Sequence, residues 1–144
     1  MIYASFGPGD DGNAVVTRFV ANGLGYADGW ERASTIGAFT DRLVAGVVFY
    51  GWEPEHGTIK AATYSADKGW MSRGLVGAIG RYVFGQLGCQ LLRLDTSERN
   101  ETVKRICRRI GMNEYRIPRL RGPDEAEITF TYTAEQWAES KFSR

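Results

Sequence analysis

Early in the chain the apolar positions change period twice. "IYASF" alternates as a short strand and is stopped by "GPGDDG". The following "NAVVTRFVANGLG" sets Val15, Val16, Phe19, Val20 and Leu24 at helical spacing and closes on Gly25, so a first strand and a first helix are expected. In "STIGAFTDRLVAGVVFYGWEPEHGTIKAATYS" the period returns to two over three runs rich in β-branched and aromatic residues, divided by "TD" and "EPEHG". That pattern predicts an antiparallel meander. Leu75, Val76, Ile79, Tyr82, Val83 and Leu87 then mark one face of a helix that Gly88 ends, and the apolar run "CQLLRLD" follows. Another helix turns Val103, Ile106, Cys107 and Ile110 inward; "NEYRIP" and "EAEITFTYT" read as two more strands and "AEQWAESKF" as a terminal helix.

A strand, helix, strand crossover makes its flanking strands parallel, so the sheet is mixed. The expected class is α/β (α+β), with six to seven strands and helices on both faces. Ligands of such sheets lie at the carboxyl ends of the strands, beside the N-terminus of the crossover helix, which places an anion site at Lys68 to Gly74. The helix start offers free N–H groups and a positive dipole end; Lys68 and Arg73 add charge, and Ser72 offers a cap or a hydroxyl. An ordinary helix start is the alternative reading of Ser72, Arg73 and Gly74.

Composition narrows the class. The 144 residues are 43% hydrophobic with a net charge of +1, which fits one domain over residues 1–144 with no linker or repeat dividing it. No apolar run reaches the roughly 20 residues of a membrane span, and "MIYASFGPGDDG" lacks the regions of a signal peptide, so no membrane partner and a cytoplasmic location are expected. Cys89 and Cys107 form no CxxC pair and His56 has no second ligand at metal spacing, so no metal site is expected. His56, Glu53 and Glu55 read as a solvated turn, and Cys107 as a small core residue.

The segment "SERNETVKRICRRIGM" and the order of elements resemble the GCN5-related N-acetyltransferase (GNAT) family over most of the chain, from about Ile2 to Thr133. In that family an Asn opens the helix after the fifth strand and the helix ends in an aliphatic residue, Gly and an apolar residue; Asn100, Ile110, Gly111 and Met112 fall on those positions. The resemblance implies an acyl-CoA N-acyltransferase fold, acetyl-CoA as cofactor, and acetyl transfer to an amine of a small molecule or protein. It also implies a pantetheine contact for Asn100. Two departures stand out. The family's glycine-rich pyrophosphate loop is replaced by "DKGWMS", with Asp67, Trp70 and Ser72 at the marked places. Cys107 occupies the position of the tyrosine that protonates the departing thiolate in many relatives. A thiol ionises at about 8.5 against about 10 for a phenol, so it is no direct replacement. Tyr64 and Tyr115 are the phenols that remain as candidates for that role.

Basic residues crowd one stretch: Lys104, Arg105, Arg108, Arg109, Arg116, Arg119 and Arg121. One or two of them, Arg105 among these, are expected to meet the adenosine phosphates, with the rest forming a solvated face. A bolder reading is nucleic acid, because some phage proteins of this fold modify DNA bases; the stretch lacks interleaved aromatics for base stacking apart from Tyr115. A non-catalytic binding domain of the same fold is the other alternative. "AEITFTYT" is expected as an edge strand, available to pair with a second copy in a homodimer or to be covered by the terminal helix.

Overall fold

The computed structural model describes residues 1–66 and 73–144. β1 (Ile2–Phe6) leads into α1 (Asp11–Leu24), which stops where Gly25 adopts a left-handed conformation at φ 76°. β2 (Ser34–Phe39), β3 (Leu43–Glu53) and β4 (Thr58–Ser65) form the expected meander, each antiparallel to its predecessor, with β1 added antiparallel to β2.

The crossover helix α2 (Arg73–Gly80) runs on as a π-helical segment, Arg81–Gln86, in which Leu87 N–H donates to Tyr82 O. It returns the chain to β5 (Leu91–Ser97), which lies parallel to β4. Asn100 caps α3 (Glu101–Ile110): its side-chain oxygen accepts the Val103 N–H at 3.2 Å, and Gly111 at φ 92° closes the helix. β6 (Asn113–Ile117) and β7 (Glu127–Thr133) follow, then α4 (Ala134–Glu139), opened by a capping box between Thr133 and Gln136, and a last 3₁₀ turn, Lys141–Ser143.

Among the described residues seven strands form one sheet in the order β1-β2-β3-β4-β5-β7-β6. This corrects the expected edge. β7 is interior, antiparallel to both β5 and β6, because its alternating buried residues Ile128, Phe130 and Tyr132 need cover on the α3 side; β6 is the outer strand. α1 packs on one face over Val48 and Ala62 through Val16 and Val20. On the other face Leu75 and Val83 of the crossover meet Ile36, Val47, Phe49 and Leu92, while Cys107 of α3 meets Ile128 and Phe130. Among the described residues Phe49 and Phe130 are the largest fully buried side chains, and truncating either to alanine costs about 3–5 kcal/mol.

Candidate active site

The parallel ladder between β4 and β5 is short. It pairs Thr58 with Leu91 through Ala61 with Leu94 and goes no further, although β4 continues to Ser65 and β5 to Ser97. Beyond Ala61, β4 stays bonded to β3, as far as Ser65 opposite Ala45, and β5 stays bonded to β7. The two strands therefore part into a wedge, and among the described residues Ala62 to Tyr64 of β4 and Asp95 to Ser97 of β5 are not paired with each other across it. An extended chain bearing amides suits such edges.

Two hollows meet at the wedge. On the α2 and α3 side an apolar slot runs between Val76, Ile79, Val103 and Ile106. Its floor includes Tyr132 and Trp137, whose Oη and Nε1 atoms are buried and without a hydrogen-bond partner among the described residues. On the strand-end side lies a pocket of about 200 Å³ that includes Leu24, Tyr26, Asp95, Ser97, Asn100 and Arg121. Thr63, Leu94 and Val103 line both hollows, so the slot and the pocket adjoin across the wedge.

Asp95 is the charged group most firmly placed in this pocket. Alternation along β5 turns Leu92 and Leu94 toward the slot and Arg93 and Asp95 toward the α1 face. Asp95 Oδ1 accepts from Arg93 Nε at 2.9 Å and from the Thr129 hydroxyl at 2.8 Å. Both bonds fall on one oxygen, and Oδ2 has no hydrogen-bond partner among the described residues. Burial, and next the Asp95 charge, hold the Tyr50 phenol above its ordinary pKa, so it stays protonated. Trp30 bridges Tyr50 to Tyr26 by ring contacts at 5.7 and 5.6 Å, which makes an aromatic wall on the α1 face. No motif announced Asp95. The signal available in sequence was an acidic residue ending the apolar run "CQLLRLD".

The expected site residues divide. Asn100 lines the pocket. Tyr64 lies next to the last residue of β4, packs on the α1 side and lines neither hollow; continuing the β4 and β5 register beyond Ala61 and Leu94 would set it across the gap from Ser97. Its ring packs on Phe19 at 5.5 Å and fills the space a side chain at Gly23 would need. Tyr115 is not brought there; it lies on β6, 55% exposed, two strands from β5. Lys68 and Ser72 fall outside the described residues. Arg73 begins α2 and is exposed, and its Nη2 donates to Lys141 O at 2.8 Å. Gly74 makes room for the Tyr3 ring, which a Cβ would approach to 2.7 Å. Arg105 is exposed on α3.

The basic stretch is largely neutralised in place. Lys104 meets Glu101 at 2.8 Å, Arg108 meets Glu114 at 2.7 Å, Arg116 meets Glu98 at 3.2 Å and Arg121 meets Glu127 at 3.1 Å. Burial, with the nearby Glu114 charge, pushes the Cys107 thiol up to about 12, so it is inert core and no acid for a leaving group at neutral pH. His56 and Glu53 form an exposed 3.4 Å pair on the β3–β4 turn. Among the described residues no helix is long and apolar enough to cross a membrane, and no cluster of three or more His, Cys, Asp or Glu suits a metal.

This sheet order, with α1 on one face, α2 and α3 on the other, and strands that part after a short parallel ladder, defines the GNAT fold. Solved structures of that fold superpose on the chain. A chimeric spermidine N-acetyltransferase from Vibrio cholerae and hSSAT has a TM-score of 0.73 at 12% identity, covering 96% of this chain and 100% of that one. The spermidine/spermine N-acetyltransferase SpeG from Vibrio cholerae gives 0.69 at 14% identity, covering 94% and 95%. A GNAT-family protein from Desulfovibrio desulfuricans gives 0.68 at 13% identity, covering 92% and 99%. No protein-family model matches the sequence, and no curated protein matches it.

Proposed function

We propose that this chain transfers an acetyl group from acetyl-CoA to an amine of a small molecule or protein. The observation that carries the reading is the wedge between β4 and β5, with an apolar slot on one side and a pocket holding a carboxylate on the other. The cofactor's chemistry fits these residues. Its arm is an extended chain with two amides, suited to strand edges, and its apolar stretches suit the slot between Val76, Ile79, Val103 and Ile106. Arg73, at the start of α2, and Arg105 of α3 would meet its phosphates. When bound, the cofactor supplies a thioester whose acyl carbon accepts the amine nitrogen.

The remaining chemistry belongs to the chain. Asp95 takes a proton from the incoming ammonium on Oδ2, so that the neutral amine can attack. The Arg93 and Thr129 bonds to Oδ1 fix its direction. When the C–N bond has formed and the C–S bond breaks, the nitrogen gives up its second proton to solvent and the departing sulfur takes one, for which Tyr64 Oη is the candidate donor, itself reprotonated from solvent. The aromatic wall of Tyr26, Trp30 and Tyr50 walls the acceptor side and excludes water. The neighbouring spermidine N-acetyltransferases are named for polyamine acceptors, and the pocket's Asp95 suits a cationic amine of that kind. A panel of primary amines, including polyamines and lysine peptides, assayed for free thiol release from acetyl-CoA tests this. Amine-dependent release that is lost in Asp95→Asn supports it; binding of acetyl-CoA without release to any acceptor leaves a binding domain instead.

A further inference from the structure

β6 is the outermost strand of its side of the sheet, and all five of its residues are exposed. Its outer edge has no strand partner among the described residues, which makes it a template for another strand. Large apolar side chains gather on and just after it: Tyr115 is 55% exposed, Ile117 38% and Leu120 55%.

The sequence of this edge complements itself. A two-fold axis normal to the sheet passes through one residue of the strand and pairs residues equidistant from it. With Tyr115 on the axis, Asn113 faces Ile117 of the second copy and Glu114 faces Arg116 of the second copy. Opposite charges directly across a strand pair are stabilising. An axis through Glu114 or Arg116 would instead set that residue against its own copy, like charge on like. The internal ion pairs reinforce the Tyr115 register. Arg108 holds Glu114 through two bonds of 2.7 and 2.9 Å, and Glu98 holds Arg116 at 3.2 Å, so pairing creates an alternating run of Glu98, Arg116, Glu114 and Arg108 across the junction. The opposite edge, β1, also exposes large residues, Met1 at 58% and Ile2 at 69%, but "IYASF" offers no charge to choose a register.

We propose that a second copy of this chain adds antiparallel along β6, with the two-fold axis at Tyr115, so that the two sheets become continuous. The inference stands apart from the acetyl-transfer reading, because it rests on the edge and not on the wedge.

Sedimentation velocity on the whole chain, with cysteine cross-linking, tests it. The wild type is expected to sediment as a dimer at micromolar concentration and above. Tyr115→Lys, which places like charges on the axis and breaks no internal ion pair, is expected to sediment as a monomer with an unchanged circular dichroism spectrum. Directly opposed residues in antiparallel strands lie about 4.5–5.5 Å apart at Cα, within disulfide range. Tyr115→Cys is therefore expected to form a covalent dimer under mild oxidation. Asn113→Cys, displaced from its own copy along the strand, is expected not to. A monomeric wild type overturns the proposal. So does a dimer that survives Tyr115→Lys and is lost on Ile2→Lys, or one in which Tyr115→Cys fails to cross-link.

Discussion

Ala61 and Leu94 are the last residues paired between β4 and β5, and Thr63, next on the same face of β4, lines both hollows that meet above them. A bulky residue at position 63 therefore plugs the junction. Thr63 is 7% exposed and its hydroxyl donates to Gly46 O at 3.0 Å, so Thr63→Phe also carries a stability cost of about 1–3 kcal/mol from overpacking. The expected result is a folded protein with a lower melting temperature that acetyl-CoA no longer raises, whereas saturating acetyl-CoA raises that of the wild type. Differential scanning fluorimetry reads both.

Asp95 and Tyr64 have separable roles. Asp95→Asn keeps the shape and the Thr129 bond but cannot take a proton, so amine-dependent thiol release is expected to fall by about 10²–10⁴ with acetyl-CoA affinity unchanged. Tyr64→Phe is expected to lower kcat while leaving the KM for acetyl-CoA near the wild-type value, because the ring's packing on Phe19 survives. Equal rates for Tyr64→Phe and wild type would mean that solvent or backbone protonates the sulfur.

Gly80 reverses the usual helix rule. Replacing an internal helix glycine by alanine ordinarily stabilises by about 0.5–1 kcal/mol. Here a Cβ would run into the Trp137 indole, which is packed directly against the helix. Gly80→Ala is expected to destabilise, with a shift in tryptophan fluorescence as Trp137 is displaced. Denaturant unfolding decides the sign.

Glu98 ties the β5–α3 connection to the start of β7. Its carboxylate accepts the Ala126 N–H at 2.6 Å and Arg116 Nη2 at 3.2 Å, and these bonds, the backbone one first, hold its pKa below the ordinary value. A depressed carboxylate stabilises the fold above its unfolded pKa and loses that contribution as the pH falls through its folded pKa. Glu98→Gln is therefore expected to melt below the wild type at neutral pH, with the gap closing as the pH drops beneath the ordinary glutamate range. Melting curves at stepped pH check the direction.

Most of the element order was legible in the sequence because periodicity and punctuation agreed. Val16 and Val20 repeat at helical spacing before Gly25; Val44 through Tyr50 read as strand between two polar turns; Asn100 and Gly111 bracket α3. Sheet order was less legible. "EAEITFTYT" looks like an edge when read alone, and its interior place follows from a long-range pairing of Leu94 with Phe130 that leaves no local mark. The π-helical segment after Gly80 has no sequence signature either. For the site, Asn100 was singled out through the resemblance of its segment to the GNAT family, and it lines the pocket. Asp95 was missed because its importance comes from the parting of two strands and from Arg93 and Thr129, which no spacing encodes. Tyr115 looked like a spare phenol and is instead an exposed edge residue.

The central claim is that the wedge holds acetyl-CoA, and calorimetric titration of the whole chain with acetyl-CoA tests it most directly. The expected result is saturable binding of one molecule per chain in the micromolar range, abolished by Thr63→Phe. Absence of binding at millimolar acetyl-CoA, or binding that Thr63→Phe leaves untouched, would contradict it.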